Sequence, residues 1–230
     1  WNTDNFPDGP SGKLCKDLLA SKGVKMAAIR KPRLSSPLPS KTVDEAQAKG
    51  WILPVPNGAG DKTKEFNFHP QAARDWWWSQ ERPLFESGIV GYWNDEADVQ
   101  GKTTFNNFQF LNMGRLLYEG QRAESNLRVW SINRAFYLGA SRYGYAGWSG
   151  DISSGFASMA FQRRRMLAAL DTGEFHWSMD TGGFSGHPSP ENYARWMEFS
   201  AFVPIMRVHG NFGEKRQPWV YGPVAEAAEA

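Results

Sequence analysis

The segment Gly88–Asp98 has the sequence Gly-Ile-Val-Gly-Tyr-Trp-Asn-Asp-Glu-Ala-Asp, and it decides the fold prediction. Its apolar part, Ile89–Trp93, is typical of a short buried strand, and Asp95, Glu96 and Asp98 follow shortly after it. A carboxylate at the end of a buried strand is costly unless it is paired, hydrogen-bonded or functional, because burial disfavours its charged form. Taken alone, such an Asp more often caps the next helix or faces solvent.

The pattern recurs twice further along the chain. Residues 142–151 (Arg-Tyr-Gly-Tyr-Ala-Gly-Trp-Ser-Gly-Asp) and 175–184 (Phe-His-Trp-Ser-Met-Asp-Thr-Gly-Gly-Phe) each place an aromatic or Met residue shortly before an Asp. Glycines beside these acids allow backbone or ligand to approach closely. Three strand ends therefore offer carboxylates, those of Asp95, Asp151 and Asp180. In a barrel of alternating strands and helices such ends share the face where chemistry occurs, so the recurrence favours a functional site.

Composition excludes several classes of protein. The 230 residues carry a formal net charge of +2 without a basic stripe, which argues against nucleic acid or an anionic membrane as a partner. One cysteine, Cys15, excludes an internal disulfide framework and a cysteine-based zinc cluster. No stretch has the length and apolarity of a membrane span, and no signal-peptide pattern is present. Aromatic residues make up 14% of the chain, and their flat faces suit the stacking of sugar rings, although about half of the 11 Trp are expected in the core.

Periodicity and breaker residues predict alternating strands and helices. Strands are expected at Val24–Ile29, Ile89–Trp93, Leu127–Ile132, Tyr145–Ser149, Phe175–Met179 and Val203–Met206. Helices are expected at Lys13–Lys22, Gln71–Phe85, Phe105–Arg122, Ser154–Leu170 and Pro190–Ala201. Residues 31–65 are rich in Pro, Ser and Gly and are predicted to be a loop insertion with a short helix near Val43–Lys49.

This alternation is typical of parallel strands covered by helices, hence of an α/β barrel or a doubly wound sheet. No Gly-rich phosphate loop follows a strand, which disfavours a nucleotide-binding sheet. We therefore predict a barrel that spans residues 1–230, with about six of its eight strands present.

Two strand-end carboxylates permit glycoside cleavage. One acid protonates the leaving oxygen while a second carboxylate acts on the other side of the sugar. A separation of about 5 Å makes the second group a nucleophile and retains configuration, whereas wider spacing admits water and inverts it. Asp95 and Asp151 are candidates for this pair, and sequence spacing does not give their distance. Arg134 follows the strand that comes after Asp95. Its guanidinium is expected to donate paired hydrogen bonds to sugar hydroxyls, to hold a catalytic carboxylate ionised, or to form a salt bridge at the rim of the barrel.

The ordered motifs of the chain are Gly91-Tyr-Trp-Asn-Asp95, Arg134 with Arg142-Tyr143 and Trp148-Ser-Gly-Asp151, Asp180-Thr-Gly-Gly-Phe184, and Arg195-Trp196 followed by Pro204-Ile-Met-Arg207-Val-His209. Together they resemble those of glycoside hydrolase family 31, over nearly the whole chain. The resemblance implies a retaining, exo-acting α-glycoside hydrolase on a (β/α)8 TIM barrel, with α-glucosidase as the default specificity. It also implies that a preceding strand and flanking β-sandwich domains are missing.

The resemblance further implies roles for individual residues. Asp95 falls on the family's nucleophile and Asp151 on its general acid/base. The residues that it places around the terminal sugar are Trp93, Arg134, Trp148, Asp180, Phe184 and His209. It implies an oligosaccharide or another α-glycoside as substrate, and neither a metal nor a cofactor.

One departure from the family pattern is Glu96. The family commonly has Met-Asn-Glu after the nucleophile, whereas this chain has Glu96-Ala-Asp98. A charged side chain therefore stands beside the reactive centre, and we expect Glu96 to contact a substrate hydroxyl.

Other functions stay open at this point. Within the family they are an α-transglycosylase, an α-galactosidase, an α-xylosidase and a lyase. From other classes they are a barrel enzyme with a divalent metal on Asp95, Glu96, Asp98 and His209, and a non-catalytic carbohydrate-binding remnant.

Overall fold

The computed structural model describes residues 17–35, 40–53, 63–96, 106–134 and 136–228. In chain order the elements are β1 (Met26–Arg30), β2 (Arg33–Ser35), α1 (Ser40–Ala48), β3 (Thr63–Glu65), α2 (Gln71–Glu86), β4 (Ile89–Asn94), α3 (Asn106–Glu124), β5 (Trp130–Asn133), β6 (Ala146–Trp148), α4 (Phe156–Asp171), β7 (Trp177–Ser178), α5 (Pro190–Ser200) and α6 (Pro223–Ala227). Short 3-10 helices lie at Ala140–Arg142 and Pro218–Tyr221. The chain divides into two compact units, Trp1–Ala135 with Arg142–Tyr145 and Phe136–Ser141 with Ala146–Ala230.

The first unit is built on three parallel strands in the order β1-β4-β5. The register aligns Arg30 with Asn94 and Asn94 with Asn133, so that the three strands end at the same level. The ladder continues one residue further, because the Asp95 amide donates to the Arg30 carbonyl at 3.0 Å and the Arg134 amide to the Asn94 carbonyl at 3.0 Å. The residues that follow these strands consequently share one edge of the sheet.

The segment predicted as a loop insertion contains regular structure. Strands β2 and β3 form an antiparallel pair in which Arg33 lies opposite Glu65, and α1 occupies the position of the expected short helix. The strand pair was not predicted. Three-residue strands leave too short an alternation for a periodicity argument, and only their pairing reveals them.

Aromatic side chains fill the core between the sheet and helices α2 and α3. Phe66 packs against Trp77 with ring centroids 4.7 Å apart and stacks on Trp76 at 5.6 Å, and Phe68 contacts Trp77 at 4.9 Å. Six tryptophans of the described residues are buried, namely Trp51, Trp77, Trp78, Trp148, Trp177 and Trp196. Much of the aromatic content is therefore explained by core packing, as expected for about half of it.

The second unit contains the parallel pair β6-β7 covered by α4 and α5. Its core includes Met179, Trp196 and Met197, each at most 1% exposed. Helix α5 begins with the Ser189 side chain accepting a hydrogen bond from the Asn192 amide, followed by Pro190 at its first turn.

The predicted strand at Val203–Met206 is wrong as a regular strand. Ile205 and Val208 instead form isolated parallel bridges to Ser178 and Thr181. Pro204 lacks an amide proton and cannot donate to a ladder, which accounts for the interruption. The other predicted strands and helices are confirmed with shifted ends. Of the helix expected at Lys13–Lys22, residues 17–21 are helical and residues 13–16 lie outside the described residues.

Candidate active site

The ends of β1, β4 and β5 bring charged side chains together in the first unit. Lys31 follows β1, Asp95 and Glu96 follow β4, and Arg134 follows β5. Asp95 is only 7% exposed, so its carboxylate needs compensating charge. Arg134 Nη1 lies 3.6 Å from Asp95 Oδ1 and Lys31 Nζ lies 3.5 Å from Asp95 Oδ2. Each carboxylate oxygen of Asp95 therefore faces one cation.

A row of polar side chains lies beneath Asp95. The buried Arg30 guanidinium donates to the Asn94 side-chain oxygen and, at 2.7 Å, to Glu81 Oε2. The Asn94 amide nitrogen donates to Asn133 Oδ1 at 2.6 Å, and the Asn133 nitrogen donates to Ser131 Oγ at 3.1 Å. These hydrogen bonds connect side chains on three neighbouring strands, and they hold in place the end of β4 that carries Asp95.

Glu96 is part of a larger ion cluster. Lys31 donates to Glu96 Oε1 and Arg33 pairs with Glu96 Oε2, so both carboxylate oxygens have a cationic partner. Burial raises the pKa of Glu96, but the hydrogen bonds from Lys31 and Arg33 outweigh it and hold that pKa below its ordinary value. Glu96 also has φ of 59°, which is unusual for a residue with a side chain. No role was predicted for Lys31 or Arg33, although Lys31 lies two residues beyond the strand predicted at Val24–Ile29.

The second unit holds the other predicted site residues. Asp151 lies beyond β6 and its side chain is exposed, whereas Asp180 lies beyond β7 and is fully buried. Arg207 donates to Asp180 Oδ1, and its guanidinium carbon lies 5.1 Å from the centre of the Trp148 ring. Arg207 belongs to one of the ordered motifs, but no role was predicted for it. The structure makes it the counter-ion of Asp180.

An aromatic wall in the second unit joins two predicted residues. The rings of Phe184 and His209 lie 5.5 Å apart at an interplanar angle of 32°. The Asn211 amide donates to the Phe184 carbonyl at 2.8 Å, which ties the loop after His209 to that wall. Gly183 has φ of 87°, and a Cβ at this position would lie 2.4 Å from the Ser154 amide nitrogen. Only glycine fits this turn, which presents Phe184.

Metal binding was one alternative from the sequence. No group of three or more His, Cys, Asp or Glu side chains with suitable geometry occurs among the residues that the structure describes. Asp98, one of the four ligands considered, lies outside those residues. Within the same described part, no helix combines the length and apolarity needed to cross a membrane.

The family model described as "Glycosyl hydrolases family 31 TIM-barrel domain" matches residues 1–230. The chain belongs to glycoside hydrolase family 31. The predicted resemblance and the predicted barrel fold are thereby confirmed, and both units of the chain fall within one family 31 barrel domain.

Curated family 31 relatives have several specificities. The chain is 38% identical over 259 residues to a 1,6-alpha-glucosyltransferase from Sporosarcina globispora, a match that covers 99% of this chain and 20% of the relative. It is 30% identical over 245 residues to an alpha-xylosidase from Saccharolobus solfataricus, covering 95% of this chain and 32% of the relative. The chain thus spans between a fifth and a third of the length of these relatives.

A solved family 31 structure has the same fold. The dextranase from Flavobacterium johnsoniae, complexed with glucose, superimposes with a TM-score of 0.86 at 25% sequence identity. The match covers 100% of this chain and 32% of the dextranase.

Proposed function

We propose that the protein containing this chain is a retaining, exo-acting α-glycoside hydrolase, with α-glucosidase as the default specificity. Membership of family 31 supports the reaction class. The observation that carries the assignment is Asp95, a buried carboxylate at the end of β4 with a cation facing each of its oxygens. Such surroundings place a positive charge beside each oxygen of the carboxylate that would act as nucleophile.

In the proposed first step, an Asp95 oxygen attacks the anomeric carbon and forms a glycosyl ester. The bond from that carbon to the leaving oxygen breaks, and Asp151 gives its proton to the leaving oxygen. In the second step, Asp151 takes a proton from water, the water oxygen bonds to the anomeric carbon, and the Asp95 carboxylate leaves. The exposure of Asp151 suits a group that exchanges a proton with leaving group and water.

The terminal sugar would be bound by polar and aromatic groups from several strand ends. Asp180, which is paired with Arg207, would accept hydrogen bonds from hydroxyls, and Arg134 and His209 would add polar contacts. We assign Trp93, Trp148 and Phe184 to the apolar wall against which the sugar ring stacks. The expected direct contact of Glu96 with a hydroxyl requires that the hydroxyl share an oxygen already engaged by Lys31 or Arg33.

The substrate is an α-glycoside or oligosaccharide, and residues 31–65 are proposed to be an insertion within the barrel domain. The second candidate activity is α-transglycosylation, in which a sugar hydroxyl replaces water in the second step. The 38% identity to a 1,6-alpha-glucosyltransferase favours this alternative over the other specificities.

Aryl α-glycosides with different sugars test the proposal on the full-length protein, with Asp95→Ala and Asp151→Ala alongside the unsubstituted enzyme. We expect release of one sugar, loss of turnover in Asp95→Ala, and the smallest defect of Asp151→Ala on substrates with good leaving groups. Added oligosaccharide acceptors separate transfer from hydrolysis, because transfer yields longer products. Undiminished turnover in Asp95→Ala would refute the assignment of the nucleophile, and sugar binding without turnover would favour the carbohydrate-binding alternative.

A further inference from the structure

Three described charged side chains surround Asp95 and Glu96, and two of them come from a short segment that no sequence argument singled out. Lys31 and Pro32 join β1 to β2, Arg33 is the first residue of β2, and the Phe66 amide donates to the Pro32 carbonyl at 2.9 Å. Proline fixes its own backbone torsion, and this hydrogen bond ties it to the neighbouring strand. Lys31 and Arg33 are therefore presented to the end of β4 by a well-defined turn.

Glu96 is clamped between these two cations. One carboxylate oxygen accepts from Lys31 and the other pairs with Arg33, whose side chain is 16% exposed. Glu96 also holds a left-handed backbone conformation, which costs a residue with a side chain roughly 1 kcal/mol. Such a conformation persists where surrounding contacts over-determine it, and the two ion pairs supply those contacts.

Lys31 touches both carboxylates at the end of β4. Its ammonium is hydrogen-bonded to Glu96 while lying 3.5 Å from Asp95 Oδ2. This second distance is too long for a strong hydrogen bond, so the ammonium is anchored on Glu96 and acts on Asp95 through its charge. The side chain of Asp95 is 11% exposed, and solvent screens the interaction incompletely.

We propose that Lys31 is a positioning residue for the reaction: Glu96, itself held by Arg33, fixes the Lys31 ammonium beside Asp95, where its charge stabilises the free carboxylate over the glycosyl ester. The inference rests on the proposed function of Asp95 as nucleophile. Glu96 then acts through Lys31, and its charge serves this anchoring in place of direct contact with substrate.

The charge of Lys31 has opposite effects on the two chemical steps. Forming the ester removes the negative charge of Asp95, so a nearby cation opposes the first step. Breaking the bond between the anomeric carbon and the Asp95 oxygen restores that charge, so the cation accelerates the second step. Lys31 therefore shifts the balance toward release of the sugar from the enzyme.

The test uses the full-length enzyme and a 2,4-dinitrophenyl α-glycoside of the sugar that it hydrolyses. With this leaving group the first step is fast and the second limits turnover. In Lys31→Met we expect kcat to fall on the order of tenfold and KM to fall by more than kcat, so that kcat/KM, which reports the first step, rises. Acid-quenched samples analysed by mass spectrometry should contain a larger fraction of glycosylated enzyme. Only active molecules form the ester, so partial misfolding of the variant would lower this fraction and does not raise it.

Three further variants sharpen the test. Lys31→Arg keeps the charge and should restore most of kcat. Lys49→Met is the matched control. It removes a lysine that pairs with another carboxylate, that of Glu45 at 3.3 Å, and should leave kcat and kcat/KM unchanged. As a single change, Glu96→Met should lower kcat. In the Lys31→Met background it should lower kcat little further, because both changes disrupt the same interaction, the charge of Lys31 held beside Asp95.

Several outcomes would overturn the proposal. They are a Lys31→Met enzyme that loses kcat/KM without accumulating the glycosyl ester, and additive effects of Lys31→Met and Glu96→Met. Failure of the proposed function has a different signature. In that case the unsubstituted enzyme forms no glycosyl ester on the peptide that contains Asp95, whatever Lys31 does.

Discussion

The Glu65 carboxyl should make the stability of the chain depend on pH. Glu65 is 7% exposed on β3, where it lies opposite Arg33. Burial raises the pKa of Glu65 from 4.5 to about 7; the charge of Arg33 lowers it and that of Glu96 raises it further. The folded chain therefore holds a proton that the unfolded chain releases.

The sign of the effect follows from this raised pKa. The stabilising contribution of protonated Glu65 is fully present below the ordinary pKa and is lost as the pH rises through about 7. Between about pH 5 and about pH 8 the loss amounts to about 2 to 3 kcal/mol of unfolding free energy. Gln has the shape of the protonated acid and does not titrate. Glu65→Gln should thus match the unsubstituted protein near pH 5 and be more stable near pH 8.

Urea unfolding of the full-length protein, followed by tryptophan fluorescence, measures this difference at both pH values. Subtracting the unfolding free energy of the unsubstituted protein from that of Glu65→Gln at each pH cancels the contributions of the other titrating groups. Glu45→Gln is the matched control, because Glu45 forms an exposed pair with Lys49, and its difference from the unsubstituted protein should not vary with pH. A Glu65→Gln difference that is equal at both pH values would refute the reasoning.

Three further substitutions have expected outcomes. Arg30→Met leaves the buried Glu81 carboxylate without its ion-pair partner and should lower the unfolding free energy, measured by urea unfolding, by about 3 to 5 kcal/mol. Arg30→Lys keeps the positive charge and should lower it by less. Gly120→Ala places a Cβ 2.3 Å from the Trp78 ring, so overpacking of about 1 to 3 kcal/mol should exceed the gain in helix propensity and lower the thermal midpoint. Asp180→Asn should raise KM for an aryl glycoside at least about tenfold, because a charged acceptor for sugar hydroxyls is lost; an unchanged KM would contradict the subsite assignment.

Local sequence was sufficient for most of the elements. Strand β4 was predicted because its apolar run ends at a cluster of acids, and the helix predicted at Pro190–Ala201 matches α5 to within one residue. The strand at Val203–Met206 was misassigned because its apolar residues suggested a ladder that Pro204 interrupts. Strands β2 and β3 were missed because three residues carry no period.

The sequence by itself determined that Asp95, Asp151 and Asp180 follow strands, since each acid lies within three residues of its strand along the chain. Ordered motifs also identified the family, because several weak matches in the right order are jointly specific. Tertiary structure alone decided what surrounds each acid. Lys31 and Glu96 are 65 residues apart, and they meet because parallel register brings the ends of β1 and β4 to one edge. Charge–charge contacts depend on distance in space, which sequence separation does not encode.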